Sequence, residues 1–322
     1  MQRMVFVGPR HAGRILALAA LVAAASGAAR PIEAGGQERQ VFLSLVDEAG
    51  FPVTDLRPDE IAVKEDGAER EILRLESIDW PMKLTLLVDN GPSSSNALLH
   101  LRNGLRGFFE TLPAGVETSL LTTAPQPRWI VRPTRDHQKL IDGIPLVAPD
   151  SGAPKFLEAL AEAAERIDRD DSDGFRVIVI VGSDGPEGSL LVERDIERMA
   201  MRLARNATTL HVVMLGLGGR RTLSTTGANQ VEVGIQLTRM TGGRYEAIAA
   251  SVRLATLLPE LAEQIAQSHM RQSRQYRITY DASTAVTPNS ERPAGIHDAP
   301  QISAATTRPG VSGILTYDGR IP

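Results

Sequence analysis

Three short segments hold the residues whose types and spacing could do chemistry. They are Asp89-Asn90-Gly91-Pro92-Ser93-Ser94-Ser95, Asp150-Ser151-Gly152-Ala153-Pro154 and Gly182-Ser183-Asp184-Gly185. Together they offer two carboxylates, Asp89 and Asp184, and several hydroxyls. Hard oxygen donors of this kind suit Mg²⁺, which keeps several waters and takes one or two protein carboxylates. A helix opening after Ser95 would also favour an anion, such as a ligand carboxylate, beside the ion. The same residues allow a purely structural reading, because Asp at a strand end caps helices and bonds loop amides.

The elements around these segments place them on one edge. From Lys83 the chain alternates strand and helix. Leu84–Val88 is a short apolar run, as expected of a strand covered on both faces. Leu98, Leu101, Leu105, Phe108 and Leu112 recur at helical spacing up to Pro113. Strands are expected at 116–123, 129–132, 177–181, 210–215 and 245–248. Helices are expected at 134–144, 156–167, 192–203 (with Ser189 as N-cap), 233–240 and 254–265. Alternation of this kind predicts an α/β domain with a doubly wound, mostly parallel sheet and helices on both faces. Ligands of such sheets bind beyond the carboxyl ends of the strands, where all three segments fall.

Before this region, Val41, Leu43 and Leu45 alternate, and Asp66-Gly67 is a strong hairpin signal between Ile61/Val63 and Ile72/Leu75. After it, Tyr276–Tyr280 and 313–317 read as strands in a segment rich in Ala, Ser, Thr and Pro. The expected organisation is a leader at 1–29, a small β-rich piece at 40–79, the α/β domain at 80–271, and a C-terminal β segment with a loose tail at 272–322. The β additions thus flank the domain at both ends.

The strand KLTLLVD with its turn, and the later VIVIVGSDG, resemble the von Willebrand factor type A (VWA) domain, most closely that of secreted bacterial VWFA-related proteins. The β-rich VFLSLVDEAGFPVTDLRPDEIAVKEDG and the later QYRITYD and RPGV are similar to the flanks of that group. The resemblance implies binding of protein ligands through a metal-ion-dependent adhesion site, with loops reading D-x-S-x-S, then a Thr, then an Asp. On that pattern Asp89, Ser93 and Asp184 are the metal residues. Gly91 stands at the first Ser, and Pro154, within SGAPKFLEAL, stands at the Thr. Pro offers neither a hydroxyl nor an N–H. Ser94 or Ser95 is the substitute if the loop is reshaped. Two outcomes stay open: a degenerate site that holds Mg²⁺ weakly, or a metal-free scaffold with a dead site.

Other chemistries find less support. An Asp after a first strand also opens the D-x-D-G-T motif of haloacid-dehalogenase phosphatases, but Asp89-Asn90-Gly91-Pro92 lacks the second Asp, so a phosphate-ester hydrolase is the weakest reading. Gly216–Gly219 lacks the third glycine of a dinucleotide fingerprint and leads into a polar loop at 218–231, and there is no Walker A, G-x-S-x-G or H-E-x-x-H sequence. His100, His137, His211, His269 and His297 are scattered, and Trp80 and Trp129 read as packing residues. Arg271, Arg274 and Arg277 read as a solvated helix end.

Composition narrows the setting. Of 322 residues none is cysteine, which excludes disulfides, thiolate zinc sites, a cysteine nucleophile and a lipoprotein anchor. An isoelectric point near 5.9 argues against nucleic acid as the partner. Arg3, Arg10 and Arg14, the apolar run Ile15–Ala25 and the small residues after it form a secretory leader. That run is too short to span a bilayer, so stable membrane insertion is not expected. Removing residues 1–28 takes three arginines and no acid, moving the net charge from -4 to -7. The expectation is a secreted or periplasmic, non-catalytic protein that binds a protein partner at the carboxyl edge of its sheet.

Overall fold

The computed structural model describes residues 38–216, 229–285 and 301–316. The expected leader and most of the 218–231 loop lie outside the described residues, as does His297. In chain order the elements are β1 (Glu38–Val46), β2 (Ile61–Glu65), β3 (Ala68–Asp79), β4 (Met82–Val88), α1 (Leu98–Thr111), β5 (Glu117–Thr122), β6 (Arg128–Thr134), α2 (His137–Gly143) and α3 (Phe156–Arg169). There follow β7 (Phe175–Ser183), α4 (Glu193–Arg205), β8 (Thr209–Leu215), α5 (Gln230–Thr241), β9 (Tyr245–Ile248), α6 (Leu254–Gln272), β10 (Arg274–Ala285), β11 (Ile302–Thr306) and β12 (Ser312–Thr316). Each strand and helix expected between Lys83 and Ile265 is present, with ends shifted by a few residues. The chain divides into two compact units, Trp80–His269 and the residues on either side of it.

The outer unit differs from the expectation of separate additions at the two ends. Its strands form one antiparallel sheet in the order β11-β2-β3-β10-β1-β12. The late strand β10 lies between β1 and β3, with Phe42 opposite Arg277 and Leu75 opposite Ile278. Neither end holds enough strands to be stable alone, and pairing them supplies a shared apolar face. Val41, Leu43, Leu45, Ile61, Val63 and Ile278 are buried on it. The hairpin at Asp66-Gly67 forms as expected: both residues have positive φ (52° and 81°), which a two-residue type I′ turn requires. Arg274 and Arg277 do not end a helix. They sit on β10 directly across from Asp79 and Glu76, at 3.9 and 3.8 Å, as cross-strand ion pairs.

In the central unit the sheet order is β6-β5-β4-β7-β8-β9, parallel throughout except for β6, which runs antiparallel to β5. Side chains alternate between its faces. Leu84, Leu86, Val177 and Val179 pack with Leu105 and Phe108 of α1 and Leu258 and Leu261 of α6. Leu87, Ile178, Ile180 and Val212 pack with α3, α4 and α5 through Leu160, Leu203 and Leu237. The central strands are therefore covered on both sides, which explains their continuous apolar runs. All connections that leave the carboxyl ends of β4, β5, β7, β8 and β9 gather on one edge.

Candidate functional site

β4 ends at Val88 and delivers Asp89 to that edge, its backbone N–H donating to Val181 O of neighbouring β7 (2.8 Å). Asp89 is only 3% exposed. Its Oδ1 accepts the Gly91 N–H at 2.7 Å, and its Oδ2 accepts the hydroxyls of Ser94 (2.7 Å) and Ser183 (2.8 Å). The carboxylate is thereby bonded from the loop after β4 and from the end of β7. Asn90, fully buried, extends this stitching: its side chain accepts the Ala124 N–H (3.1 Å) and donates to Ala148 O (2.8 Å), while its carbonyl accepts the Asp150 N–H (2.8 Å).

The hydroxyl that reaches Asp89 is that of Ser94, one residue beyond the expected Ser93. The loop passes into α1 through a 3₁₀ turn, Pro92–Ala97. Three residues per turn rather than 3.6 sets a different hydroxyl inward. Ser94 is buried and Ser93 is partly exposed. Ser95 donates back to Pro92 O (2.8 Å).

Gly91 and Pro154 meet. A Cβ added at Gly91 would lie 2.9 Å from Pro154 Cδ and 3.2 Å from Asp89 Oδ1. Pro154 is buried, and its carbonyl accepts the Gly188 N–H at 2.8 Å. The segment after β7 thus clamps the loop that opens α3. Glu187 accepts the N–H groups of Phe156 (3.1 Å), Leu157 (3.5 Å) and Ser189 (3.0 Å), and Ser189 Oγ accepts that of Glu158 (3.0 Å). These bonds satisfy donors that every helix start leaves open. Ser189 therefore caps α3, not α4 as expected. The start of α4 is instead bridged by Asp195, which accepts the Val192 N–H at 3.2 Å. Burial pushes the Glu187 carboxyl above its ordinary value, against the lowering effect of its hydrogen bonds.

Asp184 directly follows Ser183, the last residue of β7. Its backbone N–H donates to Leu215 O (3.0 Å), and its Oδ2 faces Gly216, where an added Cβ would lie 3.8 Å away. Gln230, buried at the start of α5, donates to Gly185 O at 2.8 Å and holds the Asp184 turn against that helix. Of the residues expected from the sequence, the structure thus brings Asp89, Gly91 and Pro154 together, leaves Ser93 at the rim and sets Asp184 on the β8 side. Asn90, Ser94, Ser183, Glu187 and Gln230 complete the constellation. Asn90, Ser94 and Ser183 lie in the segments singled out from the sequence, with Ser94 as one substitute in a reshaped loop. Glu187 and Gln230 carry no sequence signal beyond position after a strand or before a helix.

The donor set does not match the ligand positions implied by the resemblance. Gly91 brings no side-chain oxygen, Pro154 brings ring carbon, and both oxygens of Asp89 already accept hydrogen bonds from the chain itself. The histidines lie elsewhere: His211 Nδ1 accepts the Arg244 N–H (3.1 Å), and the His269 ring meets Trp80 O (2.7 Å). Trp129 packs under the Arg166 guanidinium, 4.7 Å from its ring centre.

Large apolar side chains stand in the connections at this same edge. Leu99 opens α1, Leu146 precedes the Asp150 loop, Leu190 and Val192 follow β7, and Val252 follows β9; each is more than half exposed. Among the described residues no helix is long and apolar enough to cross a membrane.

A parallel α/β sheet with its loops gathered at the carboxyl edge is the class that this fold defines. Within it, residues 84–186 match the family model of the von Willebrand factor type A domain, so the resemblance seen in the sequence is shown over that segment. No curated protein matches the chain. Among solved structures it is similar to a von Willebrand factor type A protein from Catenulispora acidiphila, at 11% identity and TM-score 0.48, over 88% of this chain and 75% of that one. It is also similar to the vWF domain of the type V pili tip protein Mfa5 from Porphyromonas gingivalis, at 12% identity and TM-score 0.44, over 59% and 97% of the two chains. An aerotolerance-related membrane protein from Bacteroides fragilis gives 12% identity and TM-score 0.41, over 57% of this chain and 99% of that one.

Proposed function

We propose that the chain is an exported, non-catalytic binding protein whose VWA-type domain engages a protein partner at the carboxyl edge of its sheet. The observation that carries this reading is the exposure of Leu99, Leu146, Leu190, Val192 and Val252 on connections of one edge. Apolar patches on a surface mark interaction sites, and these five side chains sit on segments at the same edge of the sheet. VWA domains often mediate protein interactions, which supports the same reading. Export rests on the basic and apolar leader at 1–29.

The test is site-resolved crosslinking. A photoreactive residue at position 190 or 99 is expected to capture a defined protein from the producing cells, and one at Met240, on the opposite edge, is not. A Leu190→Asp, Val192→Asp variant should keep the melting temperature and lose the capture. Equal capture from both edges, or capture unchanged in the variant, would overturn the proposal.

A further inference from the structure

We infer that the carboxyl edge works without a metal ion, and that Asp89 serves there as a pin joining three parts of the chain. The inference shares the edge with the proposed function and rests on that reading for its location alone.

Three observations carry it. First, the Asp89 carboxylate is buried and holds three internal donors, the Gly91 amide and the Ser94 and Ser183 hydroxyls. A buried carboxylate is costly unless its lone pairs are used, and here they are used by the protein. Second, the Pro154 ring approaches so closely that a side chain at Gly91 would collide with it. A methylene group of Pro154 therefore occupies the space that a hydroxyl-bearing side chain at Gly91 would need. Neither side chain can offer an oxygen to a small divalent ion, so water would have to fill both places, which weakens binding markedly. Third, the loops are already locked to one another. Asn90 bonds to residues 124, 148 and 150, and Gly188 bonds to Pro154. The edge needs no ion to hold its shape.

The pin has a definite reach. Asp89 directly follows β4, Ser183 ends β7, and Ser94 lies in the turn that leads into α1. One carboxylate thus ties the ends of two adjacent parallel strands to the start of the helix that follows β4. Loss of that carboxylate should weaken the fold whether or not metal is present.

The experiment uses the full chain, stripped with EDTA, titrated with Mg²⁺ and with Mn²⁺ alone, and melted with and without each ion. No partner is needed, so this inference and the proposed function fail separately. Expected are no saturable uptake up to millimolar metal and the same melting temperature in EDTA and in Mg²⁺. Asp89→Asn should lower the melting temperature by several degrees, equally in both conditions. Saturable uptake with a metal-dependent rise in melting temperature that Asp89→Asn abolishes would overturn the inference. So would an Asp89→Asn protein as stable as the parent in EDTA. If Asp89→Asn does not fold, Ser183→Ala, which removes one bond of the pin, takes its place with the same expected and overturning results.

Discussion

Gly91 and Pro154 are complementary: the proline ring fills the space that any side chain on Gly91 would enter, 2.9 Å from Pro154 Cδ. Gly91 has φ -71°, a value open to any residue, so space and not backbone freedom calls for glycine. Gly91→Ser should therefore cost about 1–3 kcal/mol, as overpacking does. Pro154→Thr alone should cost about 1 kcal/mol through lost packing and a looser unfolded chain. Because each change removes the other's obstacle, the double variant should lose less than both together, by on the order of 1 kcal/mol. Urea midpoints of the four proteins measure this coupling. Strict additivity would show that the two residues do not share the space.

Ser93 and Ser94 separate the expected loop geometry from the observed one. Ser94→Ala removes a hydrogen bond to a buried carboxylate and should cost about 1–2 kcal/mol. Ser93 is partly exposed, and Ser93→Ala should fall within about 0.5 kcal/mol of the parent. Denaturant unfolding ranks the two, and the reverse order would place the wrong serine at Asp89.

The contrast between these serines shows what the sequence made legible and what it did not. Apolar patterning alone locates β4, α1, β7 and α6: the two strands are continuous runs because both their faces are covered, and the two helices show the spacing of one buried face. The three loops fell on the correct edge by the same logic. The inward hydroxyl is less legible: Ser93 is the first choice and Ser94 only a substitute beside Ser95 in a reshaped loop, since a 3₁₀ turn and an α turn read alike over four residues. Sequence proximity ties Ser189 to the helix that follows it, although its hydroxyl caps α3 at Glu158, 31 residues earlier. Non-local pairing was also hidden: the alternating apolar residues of β1 and β10 each announce a strand, but not that Phe42 lies opposite Arg277. Pro154, in contrast, was legible at once, because a ring without N–H or hydroxyl is unfit for an oxygen site wherever it lies.

Glu187 and Ser189 cap α3 from across the chain, and that role can be measured. Ser189→Ala should cost about 1 kcal/mol, as loss of a helix cap does. Glu187 titrates above its unfolded value because burial disfavours its charge. A carboxyl raised in this way contributes stability below the unfolded value near 4.5, and that contribution is lost as pH rises through the folded value. Glu187→Gln abolishes this titration. The stability of the parent relative to the variant should then fall between pH 4.5 and neutrality. A difference that does not change with pH would show that burial does not control this group.

His211 provides the opposite slope. Burial, reinforced by the Arg244 charge, holds its imidazole down to about 4 from an ordinary 6.5. The folded state therefore prefers the neutral ring, whose Nδ1 accepts the Arg244 N–H. Its stabilising contribution is complete above pH 6.5 and is lost as pH falls from there to 4, after which both states are protonated. The full shift corresponds to about 3 kcal/mol, reduced because the side chain keeps some contact with solvent. Glu60 and Asp170 act in a separate window. Arg308 holds Glu60 at about 2, and Asp170 stays at about 2 because bonds from Lys83 and Ser172 outweigh the burial that would raise it. Carboxylates lowered in this way stabilise the fold above their unfolded values and lose that contribution only as pH falls towards 2. His211→Asn keeps an acceptor for Arg244 and cannot titrate. The parent's unfolding free energy relative to that of His211→Asn should fall from pH 7 through 5.5 to 4.5, a comparison in which the Glu187 contribution cancels. Parallel profiles would show that the ring does not titrate in the folded protein as its burial requires.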